Sequence, residues 1–277
     1  MPKTRKRKSP IVSVETASTS SSTPLLTRTI IRRFHVLLKQ QAQLRNNHLG
    51  DANTTQALSD VERQISQLGG LEEYQRLSAV GQGTDRGGGS EKVLIGWLKD
   101  MGLQKRCPPK VKLLEVGALK PDNYRQCSSW IDTTPMDLRS RHPSIMEQDF
   151  LLLDKEEHGG KWDMISLSLV LNFVPEARDR GRMLQLAHEF LKPEGLLFLA
   201  LPLPCVTNSR YVDFPYLKRL MEAIGFTEIQ DRWKEGRKMA YWLYRKGPCG
   251  QSLGQFGRKL VLRQGNRNNF CILIRDL

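Results

Sequence analysis

The sequence predicts an α/β protein: a doubly wound, mostly parallel sheet with an antiparallel edge, preceded by a helical N-terminal extension. Three observations carry that expectation. From about residue 110 onward, short apolar runs of strand length alternate with amphipathic segments of helix length, as in chains of strand–helix–strand units. The first run, Val111-Lys-Leu-Leu-Glu-Val-Gly-Ala118, is bounded by Pro108-Pro109 and Pro121 and suits a strand buried on both faces. It ends in Glu115 and Gly117, where such a strand turns toward its helix. Open α/β sheets bind nucleotides beyond that end, and glycine lets the backbone approach a ligand closely. A three-glycine dinucleotide fingerprint would continue with glycines at 119 and 121, which are Leu119 and Pro121.

The N-terminal elements come first. Lys3-Thr-Arg-Lys-Arg-Lys8 is a dense basic cluster. The Ser/Thr-rich stretch from Ser13 to Pro24 offers too little apolar surface to offset ordering entropy, so residues 1–26 are expected to be a disordered basic tail. Residues 27–105 are expected to be helical. Ile30, Phe34, Leu37, Leu38 and Leu44 mark one face of a basic amphipathic helix that bears Arg32, Arg33, Lys39 and Arg45. Leu58, Val61, Ile65 and Leu68 mark a second helix, ending at Gly69-Gly70; Leu71, Tyr74 and Leu77 continue it. Gly81 to Ser90 reads as a flexible linker, since no strand precedes its glycines and no Lys-Ser/Thr follows. Ser90 is the expected N-cap of an entry helix carrying Val93, Leu94, Trp97, Leu98 and Met101, which Cys107-Pro-Pro109 closes.

Residues 106–277 are expected to form the main domain. Ile131–Leu138 reads as the second strand, ending at Asp137. Ser144–Phe150 supplies a third edge, Trp162–Leu171 the fourth strand, Leu196–Leu201 the fifth and Phe226–Trp233 the sixth. Helices are expected over Arg178–Leu191 and Tyr216–Ile224, the latter stopped by Gly225. Met239–Arg245, Lys259–Arg263 and Asn269–Ile274 are all strand-like, and Phe270–Ile274 is the favoured seventh strand, pairing with the sixth.

Composition narrows the function. The net charge is +14, and residues 1–50 hold ten Lys/Arg against Glu15 alone. So concentrated a charge points to a polyanion partner or a nuclear address. No uninterrupted apolar run approaches membrane-spanning length, and the basic start has no apolar stretch behind it, so neither a membrane span nor a secretory signal is expected. The five cysteines are scattered, without a CxxC pair, and read as reduced thiols with no zinc site.

Four groups recur at the carboxyl ends of successive strands: Glu115/Gly117, Asp137, Asp149-Phe150, and Ser168 with Asn172. Asp137 lies twenty residues after Gly117, where a carboxylate can accept hydrogen bonds from both hydroxyls of a ribose; Asp132 is its rival on the same strand. Asp149-Phe150 offers a carboxylate for an adenine amino group and an aromatic wall for its face.

With those residues in place, the chain resembles a class I S-adenosylmethionine-dependent methyltransferase, with a seven-stranded Rossmann-like sheet. More narrowly, LLEVGAL, MDLRS, QDF, WDMISLSLVLNFVP, LKPEGLLFLALPLPCVTNSRY, LMEAIGF and RNNFCILI resemble a fungal family that methylates N1 of an adenine in large-subunit ribosomal RNA. The resemblance spans about 110–277. It implies S-adenosyl-L-methionine as cofactor, Gly117 and Asp137 as its contacts, large-subunit ribosomal RNA or a pre-ribosome as partner, no metal, and a nucleolar location. Asn172, Phe173, the Pro202–Cys205 run, Asn208 and Tyr211 are candidates to hold the target base, with no general base assigned. The rival expectation is a cofactor-binding sensor that docks a protein through the N-terminal helices; the basic arm favours RNA.

Overall fold

The computed structural model describes residues 30–45 in part, 52–81, 89–105, 109–140, 142–250 and 253–274. The basic cluster at 3–8, the Ser/Thr-rich stretch and most of the glycine-rich linker lie outside these residues. The described positions between 30 and 45 are helical, followed by α1 (Ala52–Gln67) and α2 (Gly70–Gly81). Phe34, Leu37, Val61 and Leu77 are buried, so the apolar spacing identifies the inward faces. Arg33 donates to Gln64 at 3.0 Å and Arg45 to Glu62 at 2.9 Å, tying the first helix to α1.

The entry helix α3 (Glu91–Asp100) leads into a seven-stranded sheet of order β3-β2-β1-β4-β5-β7-β6. The strands are β1 (Val111–Val116), β2 (Ile131–Asp137), β3 (Met146–Glu147), β4 (Trp162–Ser168), β5 (Leu191–Pro202), β6 (Phe226–Arg232) and β7 (Met239–Lys246). β1 to β5 run parallel, whereas β7 is antiparallel to both of its neighbours, β5 and β6. The two long helices between strands are α4 (Ala177–Phe190) and α5 (Phe214–Ile224).

Successive strand residues point to opposite faces, and both faces are covered. Leu113, Ile131, Met164, Phe198 and Leu243 pack with Leu94 and Leu98 of α3. Leu114, Ile165, Leu167, Leu197 and Leu199 pack with Leu184 and Phe190 of α4 and Leu217 and Leu220 of α5. Helix α5 stops where expected: Gly225 takes φ +108°, and a Cβ there would lie 2.6 Å from His188 Nε2.

Two expectations are corrected. Ser90 holds the N-cap position of α3 but does not cap it through its side chain: its backbone is helical, and its hydroxyl meets that of Ser168. The seventh strand is Met239–Lys246, inserted between β5 and β6, and neither 259–263 nor 269–274 is a strand. Phe270–Ile274 is buried, but its polar backbone is satisfied without a ladder. Ser209 Oγ donates to Phe270 O, Arg180 to Cys271 O and Tyr216 Oη to Ile272 O, while Leu273 N–H donates to Ala177 O. A short apolar run reports burial; it does not report pairing.

Candidate functional site

Strand register builds the site. Val116 pairs with Met136 on one side and Leu167 on the other, so the carboxyl ends of β1, β2 and β4 are level. Gly117 and Asp137, each one residue past a paired position, therefore lie side by side. The N–H groups of Gly117 and Ala118 both donate to Met136 O, at 2.8 and 2.9 Å. The register also puts the two aspartates at opposite ends of β2. Asp132 pairs with Lys112 near the amino end of the sheet, about 16 Å from the carboxyl end at roughly 3.3 Å per residue.

Gly117 has φ +78°, and a Cβ on it would lie 2.6 Å from Val170 Cγ2. The turn thus needs glycine for its dihedral and for the close passage of the post-β4 chain. That chain is itself constrained: Leu169 takes φ +58°, held by a 2.9 Å bond from its N–H to Ala200 O. Left-handed backbone at a branched, bulky residue is uncommon and clusters at functional sites.

Below the turn, Glu115 is 7% exposed and pairs in register with Ser166. Its Oε1 accepts from Asn123 Nδ2 at 2.7 Å, while its buried Oε2 has no hydrogen-bond partner among the described residues. Burial pushes the carboxyl up to about 7; the Asn123 bond opposes the shift, and the Glu91 and Asp122 charges add to it. Asp137 is half-buried, and its Oδ1 accepts from Arg139 N–H at 2.9 Å. Asp149 caps a short 3-10 turn by accepting from Leu151 N–H at 2.9 Å.

Phe150 departs from expectation. Its ring is buried edge-on against Phe190 of α4, with centroids 5.6 Å apart, so it belongs to the core and does not form an aromatic wall. Asn172 is 8% exposed and is not a helix cap, because the N-cap of α4 is Glu176; its buried Oδ1 has no partner among the described residues. Tyr211 is half-buried, with Lys259 Nζ 6.0 Å from its ring centroid.

Sequence reasoning missed two arginines. Arg180 donates to Val174 O and Pro175 O, each at 2.8 Å, and to Cys271 O. Arg263 donates to the carbonyls of Val206, Thr207, Ser209 and Val212. Both link the C-terminal segment to loops that follow β4 and β5. One signal was available for Arg180, a lone cation on the apolar face of α4; Arg263 left none.

The arrangement suits a cationic nucleoside. Glu115, Asp137 and Asp149 gather at one end of the sheet, and Glu115 Oε2 is buried without a donor among the described residues. Residues 59–272 match the family described as 25S rRNA (adenine(2142)-N(1))-methyltransferase, Bmt2. The chain is 35% identical over 247 residues to the 25S rRNA (adenine(2142)-N(1))-methyltransferase of Saccharomyces cerevisiae, covering 87% of this chain and 71% of that protein. It is 36% identical over 256 residues to the 25S rRNA adenine-N(1) methyltransferase of Schizosaccharomyces pombe, covering 88% and 91%. Among solved structures it is similar to an S-adenosylmethionine-dependent methyltransferase from Clostridium acetobutylicum, at a TM-score of 0.47 and 11% identity, over 63% of this chain and 99% of that one.

Proposed function

Because the chain belongs to the family of 25S rRNA (adenine(2142)-N(1))-methyltransferases, we infer that it transfers a methyl group from S-adenosylmethionine to N1 of an adenine in large-subunit ribosomal RNA, forming 1-methyladenosine. The structural observation that carries this reading is the level register of β1, β2 and β4, which sets Gly117 beside Asp137.

The bound cofactor supplies an electrophilic methyl group. Gly117 would admit it close to the backbone, Asp137 would accept from its ribose hydroxyls, and Asp149 would accept from its adenine amino group. The Phe150 ring, packed in the core against Phe190, takes no part. Neutral adenine N1 carries an in-plane lone pair and no proton, so the chain needs no general base. Its task is placement, holding the reacting atoms in line at about 3–3.5 Å. N1 lies on the Watson–Crick edge, so the target base must be unpaired or flipped out. Asn172, buried with an unpartnered acceptor after β4, is suited to accept from the amino group of that base.

The enzyme works on pre-ribosomes in the nucleolus, a reading supported by the basic cluster at 3–8. Mass spectrometry of large-subunit ribosomal RNA nucleosides, from cells with and without the protein, tests the activity. Loss of 1-methyladenosine is expected, and an unchanged amount would overturn it.

A further inference from the structure

A concavity lies between Pro175 and the first turn of α4, Tyr211 after β5, the C-terminal segment and Gln43 of the N-terminal helix. Its volume is about 1010 Å³, and Tyr211, Arg178, Arg258 and Lys259 line it, with Arg180 at its floor. Arg178, Arg258 and Lys259 are exposed; Tyr211 shows part of its ring, with the Lys259 ammonium over it. From residue 236 to 275 the sequence has nine Lys/Arg and no Asp or Glu. Glu176 and Asp179, on either side of Arg178 at the start of α4, line it as well.

We propose that this cleft holds the single-stranded RNA flanking the target adenine, with phosphates against Arg258 and Lys259 and a neighbouring base on the Tyr211 ring. The assignment rests on the RNA reading above and adds to it a path for the strand. A basic rim beside a partly exposed aromatic ring is the pairing that single-stranded nucleic acid requires, because phosphates take the cations and every base has a stackable face. The two carboxylates fit too, since carboxylates accept from base amino groups. Position supports it: the Ser168–Pro175 stretch begins at the carboxyl end of β4, beside Gly117, and ends on the cleft. An extruded adenine in the crevice would leave its flanking nucleotides there.

Two arginines hold this cleft in shape. Arg180 fixes the post-β4 loop to Cys271, and Arg263 fixes the post-β5 loop through four carbonyls.

The test uses the full chain and a fluorescently labelled oligoadenylate, titrated at several salt concentrations. The double variant R258E/K259E should bind it about tenfold or more weakly, and the slope of log K against log salt should fall by about 1.4, the value for two lost phosphate contacts on a single strand. Tyr211→Ala should weaken binding severalfold while leaving the salt slope unchanged. S-adenosylmethionine binding by R258E/K259E, measured by calorimetry, reports that the fold is intact. If this variant binds the cofactor normally and keeps the wild-type oligoadenylate affinity and salt slope, the cleft is not the RNA path. If it loses both ligands, R258Q/K259Q replaces it, and the same two readings decide. Methyl transfer is scored separately: a wild-type chain that labels no ribosomal RNA would refute the enzymatic reading without touching the RNA-binding result.

Discussion

Gly117→Ala would force a methyl group to within 2.6 Å of Val170 Cγ2 and require φ +78° of a residue with a side chain. The dihedral alone costs about 1–2 kcal/mol. Cofactor affinity should fall in calorimetry, and Val170→Ala in the same chain should restore only the part due to the clash. Asp137→Ala should weaken cofactor binding by about 1.5–3 kcal/mol, the range for charge-assisted hydrogen bonds, and Asp137→Asn by less. Glu115 makes stability depend on pH. Its folded-state carboxyl, at about 7, lies above the ordinary carboxylate value of about 4.3, so the folded chain holds the proton more tightly than the unfolded chain. Stability of the cofactor-free protein should therefore fall as pH rises from about 4.3 to 7, by up to about 4 kcal/mol. Denaturant titrations across that window should show the fall in wild type and a flatter profile in Glu115→Gln. At this scale the sequence was informative about backbone and acids and uninformative about rings. Glycine before a proline-marked turn and acids ending apolar runs are local signals, so Gly117 and Asp137 could be placed. Whether the Phe150 ring turned to the ligand or to Phe190 depended on a helix some thirty residues away.

Single elements show where pattern stops being enough. The twenty-residue spacing between Gly117 and Asp137 became adjacency because β1 and β2 pair at that same offset, Val116 to Met136. The C-terminal segment escaped the same reasoning, because Phe270–Ile274 is as apolar as a strand and its backbone partners are scattered side chains. Arg263 makes that segment indispensable. Arg263→Met would strip donors from the carbonyls of Val206, Thr207, Ser209 and Val212, three of which belong to fully buried residues. At about 1–3 kcal/mol for each acceptor left unsatisfied, the loss should be at least about 3 kcal/mol. Arg263→Lys should recover little, since an ammonium cannot reproduce the fork. Chemical denaturation of both variants measures the difference.

Across the whole molecule, charge and fold are divided. The sheet carries the proposed cofactor end, and the excess of positive charge sits toward the two ends of the chain. Removing residues 1–26 takes away five Lys/Arg and Glu15. Cofactor affinity should not change, whereas KM for ribosomal RNA should rise severalfold and its salt dependence should flatten, as measured by methyl-transfer assays over a salt series.

The insertion of β7 between β5 and β6 has a bearing on how the chain matures during synthesis. β6 leaves the ribosome before β7, yet β7 is the one neighbour it has in the finished sheet. Until translation passes Lys246, β5 has an open flank and β6 has nothing to pair with. A nascent chain stalled before that point would carry the residues for the cofactor end complete in sequence but on an unclosed sheet. Closure of this sheet thus waits on the last quarter of the domain.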